Sequence, residues 1–70
     1  MEPAPCRVDA RGMRCPWPVL RAARALRSHD AVLIEADDAM AEGEIAALAA
    51  QNNWHFERKG THIFSIRKQA

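Results

Sequence analysis

The amino-acid sequence predicts an α/β (α+β) fold, a two-layer sandwich in which two helices cover one face of a mixed four-stranded sheet. Three observations predict it. Strand and helix signals alternate in the order βαβαββ, no linker, repeat or low-complexity tract separates them, and 70 residues suffice for one small domain. A strand–helix–strand unit gives a parallel pair, whereas a closing hairpin is antiparallel. We therefore expect a single domain over residues 1–70.

The first element is a short strand in CRVDA, residues 6–10, where apolar and polar side chains alternate. The letters RGM then form a turn, because Gly12 supplies backbone dihedral angles that other residues avoid. Cys15 follows this turn directly. Cys6 alternates with Val8 on one strand face and is expected to be a small core or edge residue, with a resolving or secondary sulfur role as the alternative.

A first amphipathic helix is expected from Pro16 onward. Proline suits the first helical position, since it has no N–H to leave unpaired and its φ is already helical, and this makes Cys15 the N-cap residue. Pro18 is tolerable within the first turn. The face towards the core is expected to carry Val19, Leu20, Ala23 and Leu26. The opposite, exposed face is expected to carry Trp17, Arg21, Arg24 and Ser28.

A second strand and a second helix follow. AVLIEA at residues 31–36 is a β-rich apolar run, and AEGEIAALAAQNN at 41–53 is helical. Asp37 and Asp38 are expected to cap this helix, and its acids lie at the favourable N-terminal end. The residues expected to face the core are Ile45, Leu48 and Ala49.

The chain closes with a hairpin. WHFERKGTHIFSIRK at residues 54–68 predicts two alternating strands with a turn at Lys59 and Gly60. His55 and His62 would then lie near each other across the hairpin, as surface residues. The aromatic residues expected in the core are Trp54, Phe56 and Phe64.

The net charge of +1 hides an uneven distribution along the chain. Residues 1–29 carry six Arg against two acids, residues 30–57 carry seven acids and no Lys or Arg, and residues 58–70 carry four basic residues. Charge runs are usually solvated faces, but the basic first part flanks Cys15. A near-neutral chain without a pattern of basic and aromatic residues in the hairpin argues against nucleic-acid binding.

The composition also predicts a location. The N-terminal letters MEPAPC lack the basic start and apolar stretch of a leader, and no later run approaches the roughly 18 apolar residues that a membrane helix needs. Two cysteines are too few for a disulfide-stapled secreted scaffold. We therefore expect a cytoplasmic protein without membrane contact. The cysteines and histidines lack the spacings of a metal site, so neither a metal nor a cofactor is expected.

Cys15 is the side chain to which the sequence assigns chemistry. At a helix N-terminus a cysteine meets unpaired N–H groups and the positive end of the helix dipole, both of which favour the thiolate. Arg11 and Arg14 are expected to add to this effect. The same surroundings would stabilise a persulfide or a sulfenate anion, so these residues alone leave the kind of sulfur chemistry open. The disulfide cycle of a Cys-x-x-Cys motif is incomplete, because position 18 is proline.

The stretch VDARGMRCPWPVLRAARALR, residues 8–27, resembles the TusA/SirA-type sulfur carrier family, whose mark is an acid, a glycine turn and a Cys-Pro-x-Pro motif that opens the first helix. VLIEADD at 32–38 is similar to the family's second strand with its acidic end, and FSIRK at 64–68 is similar to its last strand. The resemblance covers nearly the whole chain. Members often have proline at the positions of Ala39 and Ala46, which bears on how the second helix begins.

The resemblance implies a sulfurtransferase-type sulfur carrier rather than an independent turnover enzyme. The motif cysteine, by position Cys15, would hold sulfane sulfur as a persulfide, received from a cysteine desulfurase or another persulfide donor and passed to a downstream acceptor protein. Branches of the family serve tRNA 2-thiouridine formation, molybdenum cofactor formation or dissimilatory sulfur oxidation, and the sequence selects none of them. The residues that would complete the motif and tune the thiolate are Gly12, Arg14, Pro16 and Pro18.

Trp17 and Arg21 are expected to form a partner-docking surface. Helical spacing puts them on one exposed face a turn from Cys15, and Trp and Arg are frequent anchors of protein interfaces. A stacking pair of Trp17 and Arg21 without a partner is the alternative for these two residues. For the whole protein the alternative is a regulatory or interaction module of the same fold, whose cysteine senses oxidation instead of carrying sulfur.

Overall fold

The computed structural model describes residues 6–68. Residues 1–5, on which the expectation of no leader rests, and residues 69–70 lie outside the described residues. The elements, in chain order, are β1 (Cys6–Asp9), α1 (Trp17–Leu26), β2 (Ala31–Glu35), α2 (Ala41–Gln51), β3 (His55–Gly60) and β4 (Ile63–Arg67). The predicted order βαβαββ is confirmed. Neither helix of this described part is long and apolar enough to cross a membrane.

The strands form one mixed sheet in the order β1–β2–β4–β3. β1 and β2 are parallel, with Cys6 opposite Val32 and Asp9 opposite Glu35, whereas β4 is antiparallel to both β2 and β3. α1 packs against β1 and β2, α2 packs against β3, and the two helices contact each other. Both helices therefore cover one face of the sheet, as the sequence predicts.

The hydrophobic core lies between the sheet and the helices. Every second residue of β2 and β4 points inward, as strand geometry requires. The large side chains that are almost fully buried are Val32, Ile34, Phe64, Ile66, Leu26 and Ile45. Trp54 and Phe56 are only partly buried at the margin of this core. The Phe56 ring stacks on Phe64 with centroids 6.1 Å apart, and Lys68 Nζ lies 5.5 Å from the centre of the Trp54 ring.

Helix α1 differs from the prediction in its start and in its buried face. It begins at Trp17, so Pro16 and not Cys15 is the N-cap residue. Its buried residues are Pro18, Ala22 and Leu26, whereas Leu20, predicted to face the core, is 50% exposed. Ala22 is fully buried on α1, and Ala41 and Ala49 are buried on α2. Small side chains of this kind suit two helices that contact each other.

Helix α2 begins at Ala41, with Met40 as its N-cap residue. The predicted cap by two aspartates is correct only in part. The Asp38 carboxylate accepts a hydrogen bond from the Met40 N–H at 3.1 Å, but Asp37 binds a different part of the chain. The predicted inward face is confirmed, with Ile45 and Ala49 buried and Leu48 packed partly buried against the core.

The closing hairpin turns later than the sequence predicts. β3 ends at Gly60 and β4 begins at Ile63, so the turn is formed by Thr61 and His62. An irregularity in the pairing between Arg58 and Gly60 extends β3 beyond the expected turn. His55 pairs with Arg67 at the far end of the hairpin from His62. The expectation that the two histidines lie near each other is therefore wrong.

Candidate functional site

The candidate site lies where the loops after β1 and β2 meet. The two strands are parallel, so their carboxyl ends share one edge of the sheet and the helices that follow both begin there. The Ala10 N–H donates to the Glu35 carbonyl at 2.8 Å. The Gly12 N–H donates to the Asp37 carboxylate at 2.9 Å. Gly12 has a φ of +78°, a left-handed conformation that favours glycine, so the predicted glycine turn is confirmed.

Cys15 lies in the loop that leads into α1 and is partly buried. Its thiol donates a hydrogen bond to Oε1 of Glu44, which lies in the first turn of α2. These two residues are 29 positions apart in the sequence and meet because both helices begin at the same edge of the sheet. The side chain of Cys15 makes no capping bond to α1.

The surroundings of Cys15 favour the thiol, which contradicts the expectation that they favour the thiolate. The pKa of Cys15 is raised to about 11 by the hydrogen bond to Glu44, by partial burial, and by the negative charges of Glu44 and Asp38. Cys15 also lies outside the N-cap position predicted for it, since α1 begins at Trp17 with Pro16 as its N-cap residue. Arg14 is exposed and is not among the groups that shift this pKa.

Arg11, the other basic residue expected beside the thiol, is bound elsewhere. Its Nε and a terminal nitrogen donate to the two oxygens of Asp9 at 2.9 and 3.0 Å. Those bonds and the Arg11 N–H hold the pKa of Asp9 at about 2, with a smaller contribution from the positive charge of Arg21. Arg11 and Asp9 thus stabilise the turn after β1 and do not activate Cys15.

Exposed apolar side chains occur in the sequence close to Cys15 and to Glu44. In residues 6–68 the large exposed hydrophobic residues are Trp17, Leu20 and Met40, at 60%, 50% and 63% exposure. Trp17 follows Cys15 by two residues, and Met40 precedes Glu44 by four. We call these three residues the apolar rim. The predicted exposure of Trp17 is confirmed, while the exposure of Leu20 and Met40 was not predicted.

A groove of about 760 Å³ runs between α1 and the edge strand β1. Its α1 side is lined by Trp17, Leu20, Arg21 and Arg24, and its β1 side includes Cys6, Arg7 and Asp9. Arg21 is exposed, as predicted, and shares this groove with Trp17. Cys15 does not line the groove, so the groove adjoins the thiol's loop without containing the thiol.

A family model described as "Sulfurtransferase TusA" matches residues 7–68. The chain belongs to the TusA sulfurtransferase family. The matched range spans both helices and most of the sheet, and it includes Cys15, Glu44 and the apolar rim. A search of curated proteins finds no match to this chain. Membership of the TusA family supports a role as a sulfur carrier that works with sulfur-transfer partners.

Cys6 lies at the opposite end of the parallel pair from Cys15. It is opposite Val32 at the start of β2, whereas Cys15 lies beyond Asp9 at the carboxyl end of β1. A strand advances about 3.3 Å per residue, so the steps from Cys6 to Asp9 alone cover about 10 Å. Cys6 and the loop that carries Cys15 therefore lie at opposite ends of β1. Both thiols are free, and Cys6 packs partly buried against the core, as predicted.

Glu44 is the residue of this TusA-family site that the sequence reasoning missed. Its signal was present, because acids in the first turn of the second helix were noted as favourable to the helix dipole. The order βαβα indicates that Glu44 lies near Cys15, since it puts the N-termini of both helices at one edge of the sheet. Among residues 6–68, no group of three His, Cys, Asp or Glu side chains is placed to hold a metal ion.

Proposed function

We propose that this TusA-family protein carries sulfane sulfur as a persulfide on Cys15 and relays it from a persulfide donor, such as a cysteine desulfurase, to an acceptor protein. The observation that supports this most is the position of Cys15. The thiol lies in the family-matched range, at the edge where both helices begin, and two residues before the exposed Trp17 of the apolar rim. A partner's active site can approach this edge without unfolding the domain.

The loading step needs no external oxidant or reductant. Cys15 loses its proton, and its sulfur attacks the outer sulfur of the donor's persulfide. A new S–S bond forms on Cys15, and the S–S bond of the donor breaks. The electron pair of that bond stays on the donor cysteine, which leaves as a thiolate and takes up a proton. Delivery repeats the same exchange, with a thiolate of the acceptor attacking the outer sulfur on Cys15.

The groove beside α1 supports docking of the partner by Trp17 and Arg21. Arg21 and Arg24 give its helical side a positive charge, and Trp17 and Leu20 give it exposed apolar area. An acidic segment with an apolar residue would complement this combination. Trp17 is also the groove residue nearest to Cys15 in sequence, which suits a surface that aligns two sulfur atoms.

The other motif residues have structural parts in this proposal. Gly12 forms the turn before Cys15, and its N–H donates to the Asp37 carboxylate. Pro18 is a buried residue of the first turn of α1. Pro16 is the N-cap of α1 and fixes the chain directly after the thiol. Arg14 is exposed and is available to a partner's acidic group.

The raised pKa of the Cys15 thiol disfavours the alternative of a redox sensor. Peroxide oxidises thiolates, and a thiol with a pKa of about 11 is almost wholly protonated at neutral pH. A docked donor protein can change the surroundings of the thiol, whereas dissolved peroxide cannot. Cys6, which would have to resolve a sulfenate on Cys15 within one chain, lies at the opposite end of β1. We also propose that the protein is located in the reducing cytoplasm, where both thiols stay free.

Mass spectrometry distinguishes the two functions. The protein is incubated either with a cysteine desulfurase and cysteine or with peroxide, and the modification of Cys15 is followed over time. A carrier gains reducible sulfur from the desulfurase much faster than it gains oxygen from peroxide. Fast oxidation by peroxide together with no gain of sulfur would support the sensor instead. The acceptor, in tRNA thiolation, cofactor synthesis or sulfur oxidation, is then sought with the loaded protein.

Cys6→Ser should load and transfer sulfur at close to the wild-type rate, because Cys6 lies at the opposite end of β1 from Cys15 and the change at its place in the groove wall is one of a single atom. The measurement is the single-turnover rate of loading by the desulfurase, with the wild-type protein as reference. Serine is also close in size to cysteine, so the partly buried position should tolerate it. A large loss of rate in a folded variant would make Cys6 part of the mechanism.

A further inference from the structure

The hydrogen bond between Cys15 and Glu44 joins the two halves of the site. Cys15 belongs to the loop before α1, and Glu44 belongs to the first turn of α2. Within residues 6–68 the charged groups that act on the thiol are Glu44 and Asp38, which are both acidic and both lie on the α2 side. The basic residues near Cys15 in sequence, Arg11 and Arg14, do not offset them.

Glu44 differs in this respect from Glu42, the other acid in the first turn of α2. The Glu42 carboxylate lies 4.0 Å from Arg58 Nε, on the side of β3, and does not act on Cys15. Both carboxylates lie in the first turn of α2, where a negative charge interacts favourably with the helix dipole. Contact with the thiol is therefore specific to Glu44 and is not a general effect of an acidic helix N-terminus.

We infer that Glu44 is a positioning residue for Cys15: in the empty carrier its carboxylate holds the thiol in one orientation and keeps it protonated until a partner docks. The release of the thiol by a docked partner rests on the proposed sulfur-carrier function, whereas the hydrogen bond between Cys15 and Glu44 does not. A carrier held in this way reacts slowly with small oxidants and disulfides in solution. It becomes reactive when a docked protein neutralises Glu44 or separates it from the thiol.

The protons balance in this scheme. Cys15 must lose its proton before its sulfur can attack the donor's persulfide, and the Glu44 carboxylate is in hydrogen-bond contact with that proton. The donor's cysteine leaves as a thiolate and needs one proton. The proton released at Cys15 balances the one that the donor cysteine takes up, and Glu44, which has released the thiol by then, takes no part in the transfer.

Glu44→Gln tests the inference through the pH dependence of a small-molecule reaction. All variants carry Cys6→Ser, so that Cys15 is the one thiol of the chain. The probe is dithiodipyridine, a small neutral disulfide whose released thione is followed by absorbance. Glutamine keeps the size of the side chain and removes its charge, so the pKa of Cys15 should fall from about 11 towards its ordinary value of 9.0.

The expected effect on the rate can be estimated. A complete fall to 9.0 would raise the thiolate fraction at neutral pH about 100-fold and make the thiolate about eightfold less nucleophilic. Burial and Asp38 remain, so Glu44→Gln should react faster at pH 7 by a factor of up to roughly ten. The two pH profiles should cross near pH 10, where ionisation of the wild-type thiol becomes substantial. A merely structural role of Glu44 would not produce this crossing.

Glu42→Gln is the matched control, since it removes the same charge from the same helical turn. It should leave the profile of Cys15 unchanged. Asp38→Asn gives a second test should Glu44→Gln unfold, because Asp38 acts on the thiol by charge alone and should lower its pKa less than Glu44→Gln does. The inference is wrong if folded Glu44→Gln keeps the wild-type pH profile, or if Glu42→Gln shifts the profile equally. If Glu44→Gln unfolds and Asp38→Asn replaces it, an unchanged profile of Asp38→Asn also contradicts the inference. A shifted profile in a protein that never accepts sulfur would retain the role of Glu44 and reject the carrier function.

Discussion

Replacing Cys15 by serine should abolish persulfide loading and leave the fold intact. A hydroxyl group does not attack the outer sulfur of a persulfide under the conditions in which a thiol does, so the loss should be complete. Serine is close in size to cysteine and can donate the same hydrogen bond to Glu44. The free energy of unfolding should therefore change by about 0.5 kcal/mol or less. Intact-protein mass after incubation with a desulfurase and cysteine measures the loading.

Cys6→Ser is the matched control for this experiment, because it removes the other thiol of the chain, at the opposite end of β1 from Cys15. It should load normally, so that the pair of variants assigns the sulfur to one position. Residual loading of Cys15→Ser would mean that sulfur is carried elsewhere. Unfolding of Cys15→Ser would show that the thiol supports the fold, and its loss of loading would then say nothing about chemistry.

Truncating Trp17 and Arg21 together to alanine should slow the transfer of sulfur from the donor protein. Central Trp and Arg anchors contribute about 2 kcal/mol or more to binding, which corresponds to roughly a 30-fold loss of rate at limiting donor concentration. Both side chains are exposed and line the groove beside α1. The double variant should therefore keep its thermal midpoint, since exposed positions shift stability by about 0.5 kcal/mol or less.

Two controls separate docking from chemistry in this variant. Loading by a small inorganic persulfide should be unaffected, because that reagent needs only an accessible thiolate and no docking surface. Arg67→Ala should transfer at the normal rate, since Arg67 is an exposed residue on the sheet face away from the helices. Full-speed transfer by the Trp17 and Arg21 double variant would show that the partner docks elsewhere. A collapse of its thermal midpoint would show that Trp17 contributes to the core.

The order of the elements could be predicted from the sequence because each strand and helix has its own local pattern. CRVDA alternates with a period of two, and AVLIEA is rich in β-branched residues, so β1 and β2 were placed to within one residue. The parallel pairing of β1 with β2 then follows from the helix between them. Local patterns do not reveal the bulge near Arg58, and the hairpin turn was therefore placed too early.

The buried face of α1 could not be read from hydrophobicity alone. Leu20 is more hydrophobic than Ala22, yet Ala22 is fully buried and Leu20 is half exposed. How closely two helices pack depends on the small side chains of both of them, and the alanines of α2 are far away in sequence. An exposed leucine next to Trp17 is also what a partner-binding surface would require, which no internal packing argument predicts.

The protonation state of Cys15 was mispredicted for a related reason. The groups that predict a thiolate are the N-terminus of α1 and the neighbouring arginines, which are all close to Cys15 along the chain. The groups that determine its pKa are Glu44 and Asp38, which come from the acidic middle of the sequence. The fold places both helix N-termini side by side. This arrangement predicts that Cys15, in the basic part of the sequence, lies near the acidic residues that precede and begin α2.

The most direct test of the sulfur-carrier account is the location of sulfur on the wild-type protein. The protein is incubated with a cysteine desulfurase and cysteine, digested under non-reducing conditions, and its peptides are weighed with and without a reductant. The account predicts one additional sulfur atom on the peptide that contains Cys15, removed by the reductant and absent when the desulfurase is left out. Sulfur found only on the peptide of Cys6, or on neither peptide, would contradict it.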